Sequence, residues 1–461
     1  MKQVSSLPMT KQGKMDRSFG LLSEYSPEPT IALLHYFELL DDFLAPLNVS
    51  FETFCNEFVG SWIFGYVNAL QCVGVRTVLF CITESVEKPL HAVHKPTGTP
   101  ICALPPSGLY RHYRGMRRQA QKELANNSPH LQSPIKPPES PIKNLARSLG
   151  GYISTPLGLF ARELRRYNCQ AILCQEYEFA RFDTCVLLGQ WMRLPVFATF
   201  QGGNQTQSWL EVPMRHLALH KCTGVIIPTH VEIERVSVRY QIPRDKITRI
   251  FNPFDGGAWK PVERSQARAA LSIPLKARVV VWHGRIQIAT KGLDILLEAW
   301  QQICQERPEK DLRLIFLGTG GDAEQFRQML DAMQLRGVLW RNEFVSDRAV
   351  LCQYLSAADV YTLPSRNEGF PVAPIEAMYC NLPVVAADAP GVADILEGGE
   401  ASGGIVIPRN NVEALASALG RLLDNEVEAR DLGQLARHRA ESCFAPKMIG
   451  QQLRDVLFCQ N

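Results

Sequence analysis

Residues 368–376 read EGFPVAPIE, two glutamates with seven residues between them around an apolar stretch that holds two prolines. The preceding AADVYTLPSRN has the character of a strand running into a loop. The following AMYCNLPVVAAD reads as a helix end and then another strand. Both acids therefore fall at a strand-to-helix junction, where α/β proteins bind ligands. Pro371 and Pro374 fit a first helical turn, in which a missing N–H costs nothing. Glu376 is then on the helix and Glu368 in the loop before it. Carboxylates so separated grip two different parts of one ligand, and a carboxylate takes a vicinal diol through both hydroxyls. The plainer role, for Glu368 above all, is an acid stabilising a helix N-terminus.

Two further stretches carry chemistry. In WHGRIQIATKGLDILLEAW (282–300) a strand ends at Gly284, Arg285 follows, and Lys291 is expected to open a helix. Two cations and a helix N-terminus beside a glycine form an anion site; ordinary surface charges are the plain alternative. In FLGTGGD (316–322) Gly318 and Gly320 let a ligand approach the backbone. The spacing is not G-x-G-x-x-G, so a dinucleotide oxidoreductase has little support. No D-x-D occurs anywhere in the chain, so no metal ligand is assigned and no divalent cation is expected.

The elements that must position these residues alternate along the chain. Ten short apolar runs read as strands, from TIALLHYF to GGIVIP, with stretches of apolar residues three and four apart between many of them. That alternation favours parallel sheets with helices on both faces. A length of 461 residues calls for two domains, with the boundary in IFNPFDGGAWKP (250–261), which holds two glycines and two prolines. The polar N-terminus lacks an apolar leader core, and residues 1–29 are expected to be a disordered tail. The uncharged run Val59–Val75 is 17 residues long and contains Ser61, Asn68 and Gln71; it reads as a buried helix leading into a strand, being short for a membrane span. The 13 scattered cysteines show no C-x-x-C pair and read as reduced, buried residues of a cytoplasmic protein.

A net charge of +3 gives no reason to expect nucleic acid as a partner. Residues 111–166 depart from that balance, with eleven Lys/Arg against three Asp/Glu, a net of +8. Pro134, Pro137, Pro138 and Pro141 make the middle a loop. The segment is either a solvated insertion or a surface for anionic lipid, since its cations are mixed with YISTPLGLF.

GRIQIATKG, LGTGGD and SRNEGFPVAPIEAMYCNLPVVAADAPGVADIL together resemble the retaining glycosyltransferases of family 4, with the E-x7-E spacing matched without gaps. The resemblance spans about residues 165–445 and is strongest over 277–410. It implies the GT-B fold, two facing Rossmann-like α/β domains with parallel sheets. Residues 30–255 would form the acceptor-side domain, 256–445 the nucleotide-sugar domain, and 446–461 a helix crossing back to the first. It also implies a hexosyltransferase whose co-substrate is a nucleotide-diphosphate sugar, with no cofactor. Arg285 and Lys291 would bind the diphosphate, with Gly284, Gly318 and Gly320 close by. Glu376 would hold the ribose and Glu368 the transferred sugar, beside the Gly369, Phe370, Pro371 and Val372 turn. The catalytic set is Glu368, Arg285 and Lys291. Many relatives have a histidine after the strand matching VFATF; here Gln201 stands there, and Gln201, Gly202 and Asn204 are the acceptor-side candidates. The acceptor would be a glycan or a lipid, with a glycolipid at a membrane surface favoured by 111–166 and the protein peripheral on the inner face. A non-catalytic sugar-nucleotide scaffold is the competing reading.

Overall fold

All ten apolar runs form strands, and they assemble into two sheets in the computed structural model, which describes residues 28–35, 37–58, 62–127, 149–201, 207–345 and 347–458. The first sheet holds β1 (Thr30–Leu34), β2 (Arg76–Ile82), β3 (Leu90–His94), β4 (Thr99–Leu104), β5 (Ala171–Gln175), β6 (Val196–Thr199), β7 (Gly224–Ile226) and β8 (Ile247–Thr248). The second holds β9 (Arg278–His283), β10 (Leu312–Leu317), β11 (Val338–Arg341), β12 (Val360–Leu363), β13 (Val384–Ala387) and β14 (Gly404–Ile407). The strand orders are β3-β4-β2-β1-β5-β6-β7-β8 and β11-β10-β9-β12-β13-β14. Every pairing is parallel except β3 with β4. Central strands such as β1 and β5 are buried along their whole length, because helices cover both faces.

Four strands, β3, β4, β8 and β11, lie outside the ten apolar runs. β3 and β11 are edge strands with partly exposed residues, so neither carries the continuous apolar run of a strand buried on both faces.

Each sheet starts in its middle. The chain builds outward from β1 to one edge, returns, and builds to the other from β5; it does the same from β9 and then from β12. The crevices at the carboxyl ends of β1/β5 and β9/β12 are thus topological switch points, the places where open α/β sheets bind ligands.

The helix Pro446–Phe458 packs on the helix Trp62–Gln71, so closely that a Cβ on Gly450 would lie 1.9 Å from the Ala69 carbonyl oxygen. Tyr66 Oη donates to Asn252 Oδ1 at 2.7 Å, fastening that same helix to the segment between the sheets. Residues 111–166 are helical at both ends, in Gly108–Asn127 and Leu157–Arg166; the four prolines lie outside the described residues, as does nearly all of the 1–29 tail. No helix among the described residues is long and apolar enough to cross a membrane.

Candidate functional site

At the second switch point, three loops are built backbone against backbone. Gly318 has φ 136°, and a Cβ there would fall 1.9 Å from the Gly284 carbonyl oxygen, so the loops after β9 and β10 meet only because this residue is glycine. The Asp322 carboxylate accepts from the Ile288 N–H at 2.9 Å, and Ile286 N–H donates to the Thr319 carbonyl at 3.1 Å. The loop after β12 is tied to the same unit: Arg366 donates from its backbone to Thr290 and from its guanidinium to Ala289 O and Asp294, at 2.9, 2.9 and 2.7 Å.

Lys291 does not open a helix as its sequence context suggested. It closes a one-turn helix, Ile288–Lys291, and the fourteen-residue helix begins at Leu293. Gly292 separates them at φ 63°, with its α-carbon so near the Pro364 carbonyl that a Cβ would approach to 2.0 Å. The lysine is thereby turned toward the loop after β12, where its Nζ meets Glu368 Oε1 at 2.7 Å. The helix after that loop is Ala373–Tyr379, capped by Val372 with Pro374 in its first turn; Pro371 precedes the cap. Glu376 is on this helix, and its Oε2 lies 2.6 Å from His283 Nε2.

His283 is the residue the sequence reading missed. It ends β9 directly before Gly284, is nearly buried, and leaves its Nδ1 without a partner. An Nε2–H donating to Glu376 fixes that carboxylate's direction, and a histidine at a strand end before a glycine turn was the available signal. Arg285 is exposed and makes no ion pair among the described residues. Phe370 packs between Phe251 and Phe444, with ring centroids 5.8 and 6.2 Å away, so the Gly369–Val372 turn rests on the chain linking the sheets. Val372 itself is exposed.

At the first switch point the polar groups are largely buried, and two of them, His35 and Gln175, have no partner among the described residues. His35, Gln175 and Thr199 lie at the carboxyl ends of β1, β5 and β6; among the described residues neither ring nitrogen of His35 nor either amide atom of Gln175 has a partner. Burial, with the Arg181 guanidinium beside it, holds His35 well below its usual pKa and therefore neutral. Glu176 follows at φ 96°, a conformation that costs a non-glycine residue strain. Its carboxylate accepts from the backbone N–H groups of Glu178 and Gln201 at 3.2 and 3.1 Å. Burial nonetheless pushes it up to about 8. Gln201 turns its amide onto Thr199 Oγ1 at 2.9 Å. Gly202 and Asn204 lie outside the described residues.

The two domains touch beside these crevices. Asp394, buried just after β13, sits 2.7 Å from the His230 ring and 3.0 Å from Arg249. Elsewhere one trio of metal-ligating side chains converges among the described residues: His91, Cys102 and Glu163, within 4.8 Å of one another. Arg162 and Arg166 stand 3.5 and 3.9 Å from that glutamate, and burial pushes the Cys102 thiol up to about 12. Both features oppose a cation, so the trio is read as a His91–Glu163 pair beside a buried thiol.

Residues 277–425 match the family model of the glycosyl transferases group 1. The D-inositol 3-phosphate glycosyltransferase of Saccharomonospora viridis is 32% identical over 239 residues, covering 50% of this chain and 54% of that protein. The chain spans about half the length of the curated relatives it matches. In overall fold it is similar to Anabaena Alr3699/HepE, solved in complex with UDP, with TM-score 0.66, 15% identity and coverage of 94% and 100% of the two chains. Sucrose-phosphate synthase of Thermosynechococcus elongatus aligns with TM-score 0.61 and 19% identity over 93% and 98%. Residues 277–425 are thus similar to the group 1 glycosyl transferase domain, and the two-sheet architecture is that of the GT-B fold.

Proposed function

We propose that the protein moves a hexose from a nucleotide-diphosphate sugar to a glycan or lipid acceptor, keeping the anomeric configuration and needing no divalent metal. The observation that carries this is the Lys291–Glu368 pair, 2.7 Å long, set beside the 2.6 Å His283–Glu376 pair at one switch point. Glu376, aimed by His283, would accept from the ribose hydroxyls. Lys291 and the unpaired Arg285 would take the diphosphate, with Glu368 released toward the transferred sugar. As the sugar–phosphate bond breaks, negative charge grows on the leaving diphosphate, and fixed cations stabilise that state more than the ground state. The acceptor would enter at the first switch point, near Glu176 and Gln201. Closure about the linker would then exclude water.

Alr3699/HepE has also been solved with UDP-glucose, which makes a uridine diphosphate sugar the first donor to try. The test is a panel of sugar nucleotides with membranes as acceptor source, read by release of nucleoside diphosphate with and without EDTA. Transfer that survives EDTA with the anomeric configuration kept supports the reading. Activity lost in EDTA and restored by magnesium or manganese overturns the metal-independent step. Donor binding without turnover for every sugar points to the scaffold.

A lipid acceptor would place the protein peripherally on the cytoplasmic membrane face. Within 111–166, Arg114 and Arg118 already pair with Asp42 and Glu84 at 2.6 and 2.7 Å, so the first helix of that segment would supply less free charge than its composition suggests.

A further inference from the structure

We propose that the outer face of three helices on the first sheet, Leu157–Arg166, Ala180–Met192 and Glu211–Lys221, docks on an anionic lipid surface. Their inner face is ordinary core: Phe160, Leu164, Phe182, Val186 and Leu219 are buried against the sheet. The outer face is unusual in two respects at once. Leu157, Leu187, Trp191, Val212 and Leu217 are exposed, Trp191 at 68%. The charges around them are of one sign. Arg162, Arg165, Arg166, Arg193 and Lys221 are all exposed. None of the three acids on these helices is exposed, although Glu163 lies 3.5 and 3.9 Å from Arg162 and Arg166. Asp183 is buried against Arg215 at 2.6 Å, Glu163 is buried against His91 at 2.8 Å, and Glu211 is only partly exposed, accepting from the Ser208 N–H at 2.8 Å.

The patch is continuous across the three helices. The Arg165 guanidinium lies 5.3 Å over the Trp191 ring, and Gln190 Nε2 donates to the Lys221 carbonyl at 3.1 Å. Between the second and third helices lies a cavity of about 170 Å3 lined by Val186, Leu187, Met214 and Leu217. Helix faces in the second domain mix their charges, as where Arg437 pairs with Glu441 and Arg421 with Glu400 and Glu428. A tryptophan and leucines ringed by cations suit the boundary between anionic headgroups and acyl chains. A second copy is a poorer occupant, because a two-fold contact would set five cations against the same five.

This surface reaches beyond 111–166, and lipid binding is read without any transfer, so its failure leaves the transferase reading standing. The test is sedimentation of the full chain with vesicles of phosphatidylcholine alone or mixed with phosphatidylglycerol. The protein is expected to pellet with the mixed vesicles and not with phosphatidylcholine alone. Arg165→Glu with Lys221→Glu is expected to weaken binding by about 25-fold or more, at about fivefold per cation removed. Trp191→Ala with Leu187→Ala is expected to weaken it by about tenfold through lost apolar burial. Both pairs change exposed side chains, so melting curves matching the unaltered chain separate lost docking from lost fold. Equal pelleting with both vesicle types, pelleting unaffected by either pair, or no pelleting alongside a dimer that these variants disperse would each overturn the proposal.

Discussion

The two sheets reverse their strand order in the same manner, yet their switch points are furnished in opposite ways. At β9/β12 the acids are matched: Glu368 has Lys291 and Glu376 has His283. Arg285 makes no ion pair there among the described residues, and the unpartnered atoms, His283 Nδ1 and the Thr362 and Ser365 hydroxyls, are uncharged neighbours of those pairs. At β1/β5 two polar groups, His35 and Gln175, are sealed in without partners among the described residues, and Glu176 holds a carboxyl in strained backbone with two N–H donors. A paired and part-exposed site gives up its internal pairs to a charged ligand at modest cost, since its groups are already oriented and partly solvated. A sealed site of neutral groups suits hydroxyls, which both donate and accept, and the protein bears the desolvation cost until they arrive.

The sharpest way to break this contrast is to remove a cation from the paired site. Lys291→Ala and Arg285→Ala are each expected to lower turnover by about 10²–10³, as for loss of one preorganised donor to developing charge. The two differ in stability. Lys291→Ala leaves Glu368 largely buried and uncompensated, so its melting temperature falls; Arg285→Ala touches no pair and melts as before. Adding Glu368→Gln to Lys291→Ala should restore the melting temperature and not the turnover. Turnover within twofold of the unaltered chain for both single variants would remove the site from the diphosphate.

His283→Ala probes the second pair more gently. Glu376 keeps its place on the helix and loses the group that aims it. The donor KM is expected to rise about tenfold, the weight of one hydrogen bond to a charged group, with kcat changed less. An equal loss in kcat would assign His283 to the transition state instead of to ribose binding.

This contrast also marks what could be read from the chain alone. Arg285, Lys291, Glu368 and Glu376 lie in loops, where charge and glycine stand out against the apolar strands on either side, and their spacing is local. The Lys291–Glu368 contact was within reach of that reading. The helix boundary at Lys291 was not, because it depends on Gly292 passing against Pro364, a residue 72 positions away. His35 and Gln175 close two strands, in ALLHYF and ILCQEYE, where one polar residue after an apolar run reads as the strand's end. Their meeting depends on β1 lying beside β5, with Leu34 opposite Cys174, a register set by the whole sheet.

Glu176→Gln turns the contrast into a pH measurement. A carboxyl moved from its ordinary value of 4.5 to about 8 by folding keeps its proton in the native state after the unfolded chain has lost it. Stability therefore falls as pH rises through that window. His35 acts the other way: its pKa is depressed by folding, so its contribution is present above the unfolded value of 6.5 and lost as pH falls below it. The two slopes oppose each other below pH 6.5, and only that of Glu176 remains between 6.5 and 8. There the melting temperature of the unaltered chain should decline, and that of Glu176→Gln should be flatter. Parallel curves across that window would show that the carboxyl is ionised throughout and that its two N–H donors outweigh its burial.

The smallest effect expected is also the one with an unusual sign. His35 is 1% exposed, neutral, and has two ring nitrogens with no partner among the described residues. A buried polar group left unsatisfied costs about 1–3 kcal/mol, so His35→Leu should stabilise the protein even though it removes a core side chain. About 1 kcal/mol would raise the melting temperature by roughly 2–4 °C in a domain of this size, and the gain should grow below pH 6.5, where the histidine's own contribution is lost. If the sealed polar groups serve acceptor hydroxyls, the same variant raises the acceptor KM and leaves the donor KM alone, while His283→Ala does the reverse. A lower melting temperature for His35→Leu would mean that ordered water already satisfies the ring, and the difference between the two switch points would then lie in hydration and not in unmet bonding.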